Sequence, residues 1–250
     1  MDNTKRFSNR VDTYEKFRPS YTDEAVDYIF GNSGLSKESV IADIGSGTGI
    51  FTEKVLPECK LVYAVEPNRE MRAAAEKKLS SYKSYRSVIG TSENTTLDDA
   101  SLDGITVAQA FHWFNIEKTK REFARILKQD AFVFLIWNNR ITNTPFLKEY
   151  ENILINKIPE YTVVNHNNVT EDIIKNFLIR DYSKAVFPNN QIFDLEGVLG
   201  RLKSSSYTPN ENTKEYGILK ELIVKAFDRY SENGVISFNY NTEIYSGKIA

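Results

Sequence analysis

Apolar positions along the chain follow two rhythms, and the change between them divides it. From Thr22, the residues Ala25, Val26, Ile29 and Phe30 recur at helical spacing until Gly31 to Gly34 end the pattern. Val40 to Ile44 is a short, mostly apolar run closed by glycine, which predicts a buried strand. A helix from about Ile50 and a strand from Leu61 to Val65 come next. Asn68 can cap the following helix, whose body, "REMRAAAEKKL", is rich in strong helix formers. Strand-like runs return at Arg86 to Ile89, Gly104 to Gln109 and Ala131 to Trp137, the last two separated by a helical stretch from Ile116 to Leu127. Strands alternating with helices predict parallel βαβ units.

After Trp137 the rhythm breaks. Phe146 to Ile158, Thr170 to Leu178, Asp194 to Lys203 and Thr213 to Tyr230 read as helices, with one strand, Lys184 to Phe193, among them. At the end, Ile236, Phe238, Tyr240, Thr242 and Ile244 alternate with Ser237, Asn239, Asn241 and Glu243, the period of a half-buried strand. The expected fold is α/β: a doubly wound, mostly parallel seven-stranded sheet with an antiparallel C-terminal edge strand and a helical lid. Residues 1–140 are expected to form the α/β core with an N-terminal helical segment, 141–233 a helical lid insertion carrying one sheet strand, and 234–250 the strand that completes the sheet.

With 250 residues, 41% of them hydrophobic, the chain can bury a sizeable core. A formal net charge of -2 and the absence of any basic run argue against nucleic acid as a partner. Cys59 is the single cysteine, and His112 and His166 the two histidines, too few for a zinc cluster or a disulfide framework, so no metal is expected. Met1 to Tyr14 has no apolar signal core, and no later run is long enough to cross a bilayer. A cytoplasmic protein without a membrane partner is expected; its oligomeric state is not legible in these features.

The stretch "VIADIGSGTGIFTEKV" runs from strand into helix through Gly45, Gly47 and Gly49. Such a turn lets a nucleotide-like ligand touch bare backbone at the carboxyl edge of a parallel sheet. The dinucleotide fingerprint needs its third glycine at position 50, where this chain has Ile50. Asp43 also puts an anion where a pyrophosphate would be repelled and a ligand ammonium attracted. Glu66, closing the second strand in "LVYAVEP", can accept hydrogen bonds from both ribose hydroxyls. A cationic, adenosine-containing cofactor satisfies all three features.

"ADIGSGTG" followed by "AVEP" resembles the class I S-adenosylmethionine-dependent methyltransferases, and the likeness continues through "GTSENTTLDDASLDGITVAQAFHWF". The segments "FSNRVDTYEKFRPSY", "SSSYTP" and "NYNTEIYSG" are more loosely similar to a small-molecule branch of that family, the trans-aconitate methyltransferase-like proteins. The resemblance implies a Rossmann-like sheet and S-adenosylmethionine as cofactor. It places Asp43, Gly45 and Gly47 around the methionine part, Glu66 on the ribose, Pro67 and Asn68 beside the adenine, Ser92 and Glu93 at the adenine edge, and Gln109 along the methionine chain. Arg18 is a candidate partner for the cofactor carboxylate or for an acidic substrate.

Methyl transfer from a sulfonium needs alignment and exclusion of water more than a catalytic residue. "AQAFHWF" lacks the prolines that the base-methylating enzymes carry at this place, which turns the reading toward a small-molecule acceptor at a carboxylate or hydroxyl oxygen. His112 is the candidate for orienting the acceptor or taking a proton, the alternative being a packed histidine. Phe111, Trp113 and Phe114 could wall the acceptor pocket, and Trp137, Asn138, Asn139, Arg140 and Tyr207 could contact the acceptor; a solvated loop residue and a turn are the alternatives for the last two. Two other functions stay open: a non-catalytic binder of S-adenosylmethionine or S-adenosylhomocysteine, and an NAD-dependent dehydrogenase.

Overall fold

The computed structural model describes residues 11–159, 161 and 169–249. Five strands pair in parallel: β1 (Val40–Ile44), β2 (Leu61–Val65), β3 (Tyr85–Val88), β4 (Leu102–Ala108) and β5 (Leu127–Arg140). With β6 (Arg180–Phe193) and β7 (Ile236–Lys248) they form one seven-stranded sheet in the order β3-β2-β1-β4-β5-β7-β6. The order reverses between β1 and β4, the place where an open α/β sheet leaves a crevice at its carboxyl edge.

β7 is antiparallel to both neighbours, as its alternation predicts, but it is not the edge. It lies between β5 and β6, and β6 is outermost. Strand ends also reach further than their apolar runs. β5 extends through Lys128, Gln129 and Asp130, which are exposed and supply no apolar signal.

Among the described residues, nine α-helices accompany the sheet: α1 (Val11–Phe17), α2 (Asp23–Gly31), α3 (Ile50–Val55), α4 (Arg69–Leu79), α5 (Ile116–Ile126), α6 (Pro145–Lys157), α7 (Glu171–Phe177), α8 (Leu195–Lys203) and α9 (Lys214–Tyr230). Side chains that alternate along the strands feed two cores. Ile41 and Val62 pack with Val26 and Ile29 of α2 and with Phe51 and Val55 of α3, while Ala42, Ile44, Ile105 and Val107 pack with Phe123 of α5 and Phe177 of α7. A third core joins α6, α8 and α9 to Phe238 and Tyr240 of β7. Its helices stand over the carboxyl end of the sheet, where Tyr240 is paired with Arg140.

The link between α1 and α2 crosses the same edge. Asn138 Nδ2 donates to the Ser20 carbonyl at 3.1 Å, and Asn189 Nδ2 donates to it at 2.7 Å. Phe17 lies against Gly200 of α8 so closely that a Cβ there would fall 2.3 Å from its ring. That close approach sets Arg18 beside α8. Among the described residues, no helix is long and apolar enough to cross a membrane.

Candidate functional site

The loop after β1 is built for close approach. Gly45 holds φ +74°, and a Cβ on it would lie 2.6 Å from that of Ala110, so this glycine serves the packing of the loop itself. Gly47, at φ +58°, has nothing within 4 Å of where a Cβ would stand, so its bare backbone faces open space. Below the loop, Asp43 is paired across β1 and β4 with Thr106. Thr52 Oγ1 donates to Asp43 Oδ2 at 2.6 Å and Thr106 Oγ1 to Oδ1 at 3.2 Å. Burial outweighs these two hydrogen bonds, and nearby Glu66 adds to it, so the Asp43 pKa is pushed up to about 6.

Glu66 directly follows β2 and is also buried. Its Oε2 accepts from the Gly47 amide at 2.9 Å and its Oε1 from the Asn68 amide at 2.7 Å. Each oxygen keeps a second lone pair for a hydroxyl. Burial raises its pKa, against the pull of the Asn68 and Gly47 amides. Asn68 itself caps α4, accepting from the Met71 amide. Ser92 accepts a hydrogen bond from Thr119 Oγ1 at 3.0 Å and Glu93 accepts from the Asn115 amide at 3.0 Å, tying the loop after β3 to the start of α5. Gln109, just past β4, holds φ +57°, a strained value for so large a residue, and its Nε2 donates to the Asn138 carbonyl at 3.3 Å.

These groups line one end of a cavity of about 630 Å³, a size that suits a cofactor and a small partner together. Of the nineteen candidate site residues named from the sequence, seventeen line it: Arg18, Asp43, Gly45, Gly47, Glu66, Pro67, Asn68, Ser92, Glu93, Gln109, His112, Trp113, Phe114, Asn138, Asn139, Arg140 and Tyr207. Phe111 and Trp137 do not. Both are buried in the sheet core, Phe111 packing on Phe177 and Trp137 on Tyr245, because their side chains point to the face covered by helices rather than over the edge. His112 and Trp113 lie in a single short turn with ring centroids 4.6 Å apart.

The far end of the cavity is cationic. Arg140 is no solvated loop residue: its side chain is 9% exposed and pairs with Glu151 of α6, while its Nη2 also donates to the Tyr161 hydroxyl at 3.0 Å. Burial works against its charge, but Tyr207, Tyr161, Tyr150 and Glu151 outweigh it and hold the guanidinium protonated. Arg201 of α8, which sequence reading missed, is buried and donates to the Tyr240 hydroxyl at 3.1 Å and to Ser205 Oγ at 2.9 Å. Arg18 donates to the Ser204 carbonyl at 3.0 Å, and burial together with Arg201 lowers its pKa. Among the described residues neither Arg18 nor Arg201 has a carboxylate partner. Arg201 had one visible signal: a charge on the apolar stripe of α8, beside Val198 and Leu202. Glu151 and Tyr161 carried none.

A family model described as a methyltransferase domain matches residues 42–135. An uncharacterized methyltransferase of Mycobacterium tuberculosis is 32% identical over 157 residues, which is 61% of this chain and 60% of that protein. An uncharacterized methyltransferase of Schizosaccharomyces pombe is 23% identical over 248 residues, 98% of this chain and 97% of its own length. Among solved structures, a candidate type II methyltransferase from Anaeromyxobacter dehalogenans superposes with a TM-score of 0.67 at 17% identity, covering 93% of this chain and 98% of that one, a likeness of fold.

Proposed function

We propose that this chain, which carries a class I S-adenosylmethionine-dependent methyltransferase domain, transfers a methyl group from S-adenosylmethionine to a small acidic acceptor, at one of its carboxylate oxygens. The observation that carries the acidic acceptor is the cationic far end of the cavity. There, among the described residues, Arg18, Arg140 and Arg201 stand with a single carboxylate, that of Glu151, and Arg18 Nε and Arg140 Nε are buried without a hydrogen-bond partner. Buried cations left unpaired are expensive, and a ligand carboxylate relieves them.

The near end fits the cofactor. Ser46 Oγ and Thr48 Oγ1, in the glycine loop, are buried hydroxyls with no partner among the described residues, and both line the cavity. They would take the polar groups of an amino-acid tail. Asp43 favours an ammonium, Glu66 would hold the ribose, Pro67, Asn68, Ser92 and Glu93 would flank the adenine, and Gln109 would lie along the methionine chain. When bound, S-adenosylmethionine supplies an already activated methyl group on its sulfonium. The chain's own work is then to align the acceptor behind that methyl and to keep water out. A carboxylate is ionised at neutral pH, so no base is required, and His112 and Trp113 serve to orient the acceptor.

The test has two parts. Calorimetric titration with S-adenosylmethionine, S-adenosylhomocysteine and NAD is expected to give binding of the first two and none of the third; NAD binding alone would overturn the reading of the loop. Incubation with S-adenosylmethionine and a panel of mono-, di- and tricarboxylic acids, followed by mass spectrometry, is expected to yield a methyl ester and S-adenosylhomocysteine in equal amounts. Methylation confined to neutral alcohols or amines would sink the acidic acceptor.

A further inference from the structure

Arg140, Glu151 and Tyr161 each bond to the other two. Glu151 Oε2 takes Arg140 Nη2, the Tyr161 hydroxyl donates to Glu151 Oε1 at 2.7 Å, and Arg140 Nη2 also donates to the Tyr161 oxygen at 3.0 Å. The Arg140 guanidinium lies over the buried ring of Tyr150, 4.7 Å from its centroid, and its Nε is left to a ligand. All three residues line the cavity, and the Glu151 side chain is 25% exposed, so its carboxylate stands in the wall rather than behind it. Arg18 and Arg201 are held differently. Among the described residues, the hydrogen-bond partners of their side chains are neutral: the Ser204 carbonyl for Arg18, and the hydroxyls of Tyr240, Ser204 and Ser205 for Arg201.

Arginine stays protonated at neutral pH, so among the described residues this end of the cavity sets three positive charges against the one negative charge of Glu151. We propose that Glu151 sets the charge of the acceptor: it supplies one of the three carboxylates that the guanidiniums call for, and the acceptor brings the other two. This rests on the acidic-acceptor reading above. An acid with one carboxylate fewer leaves a buried guanidinium without an anion, and an acid with one more has to bring its extra carboxylate against that of Glu151. Selection then works from both sides, by attraction to the charge that is missing and repulsion from the charge already present. Tyr161 is the positioning residue: by donating to one oxygen of Glu151 and accepting from Arg140, it keeps the carboxylate turned to the guanidinium.

The test is calorimetric titration, in the presence of S-adenosylhomocysteine and at neutral pH, with butyrate, succinate and tricarballylate, which carry one, two and three carboxylates. The wild-type protein is expected to bind succinate more tightly than either of the others, by about tenfold or more. Glu151→Gln, which still accepts from Tyr161, is expected to raise the affinity for tricarballylate relative to succinate by about tenfold or more, and Arg201→Met to shift the preference the other way, toward butyrate. Glu149→Gln removes the same charge from α6, but from a carboxylate paired with Arg229 outside the cavity, and is expected to leave the order as it is. An order that Glu151→Gln leaves unchanged, or that Glu149→Gln moves equally far, would overturn the assignment and leave the acidic acceptor standing. Should Glu151→Gln fail to fold, an Arg201→Met protein that keeps the wild-type order would overturn it as well. A wild-type protein that binds none of the acids would refute the acidic acceptor, and the role of Glu151 with it.

Discussion

Asp43→Asn separates the demands of the fold from those of the ligand. The carboxylate is 1% exposed, and its pKa stands at about 6 against an ordinary 3.8. The folded chain therefore holds a proton there more tightly than the unfolded chain does. The associated stability is complete below about pH 4, declines as pH rises, and is gone above about pH 6. At about 1.4 kcal/mol for each tenfold change in proton affinity, the ionised carboxylate costs the empty fold about 3 kcal/mol at neutral pH. Asparagine never ionises, and it keeps both hydrogen bonds: its Oδ1 still accepts from one threonine hydroxyl, and its Nδ2 donates to the oxygen of the other. Urea denaturation of both proteins without ligand, from about pH 4 to about pH 7, should show the variant gaining on the wild type across that window by up to about 3 kcal/mol and holding its lead above it. S-adenosylmethionine should reverse the order, since its ammonium compensates the carboxylate and not the amide; the variant should bind it more weakly by about 1 to 3 kcal/mol. A stability difference that stays constant with pH, or a variant that binds the cofactor more tightly, would refute the reasoning.

Glu66→Ala should weaken S-adenosylmethionine binding by about 1 to 3 kcal/mol, measured by calorimetry, with Glu66→Gln losing less because it still accepts from an amide. Gly47→Val should abolish cofactor binding by filling the open space beside the loop, and differential scanning calorimetry should show a smaller loss of stability than for Gly45→Val, whose side chain meets Ala110. Arg201→Met, which gives up the hydrogen bonds to Tyr240 and Ser205, should lower kcat/KM toward an acid acceptor on the order of a hundredfold or more. An Arg201→Met protein with unchanged kcat/KM would contradict the assigned role.

Much of the first half of the sheet could be read from letters because β1, β2 and β4 are largely buried and leave mostly apolar runs. Leu61 to Val65 is the clearest instance, its bounds being those of β2. The position of β7 could not be read in this way. Alternation of Phe238, Tyr240 and Thr242 with Asn239, Asn241 and Glu243 reports what covers the two faces of a strand, and says nothing about which backbone edge is paired. At the site, Asp43, Gly47 and Glu66 announced themselves because local sequence brings them to the ends of two adjacent strands. The proposed acceptor half is assembled from distant parts: Arg18 next to α1, Arg140 at the end of β5, Glu151 in α6 and Arg201 in α8. No spacing rule connects them; what brings them together is the contact of Phe17 with Gly200 and the pairing of Arg140 with Tyr240.

The place of β7 in the sheet has a consequence for how the molecule comes into being. β6 has no neighbour in the sheet except β7, and the core beneath α6, α8 and α9 includes Ile236, Phe238 and Tyr240. A chain emerging from the ribosome through β5 already owns every strand and turn that surrounds Asp43, Gly47 and Glu66. β6 and the helices over the edge must wait for a segment synthesised after all of them. Under the proposed function, the half that would hold the methyl donor is therefore synthesised before the half that would select the acceptor.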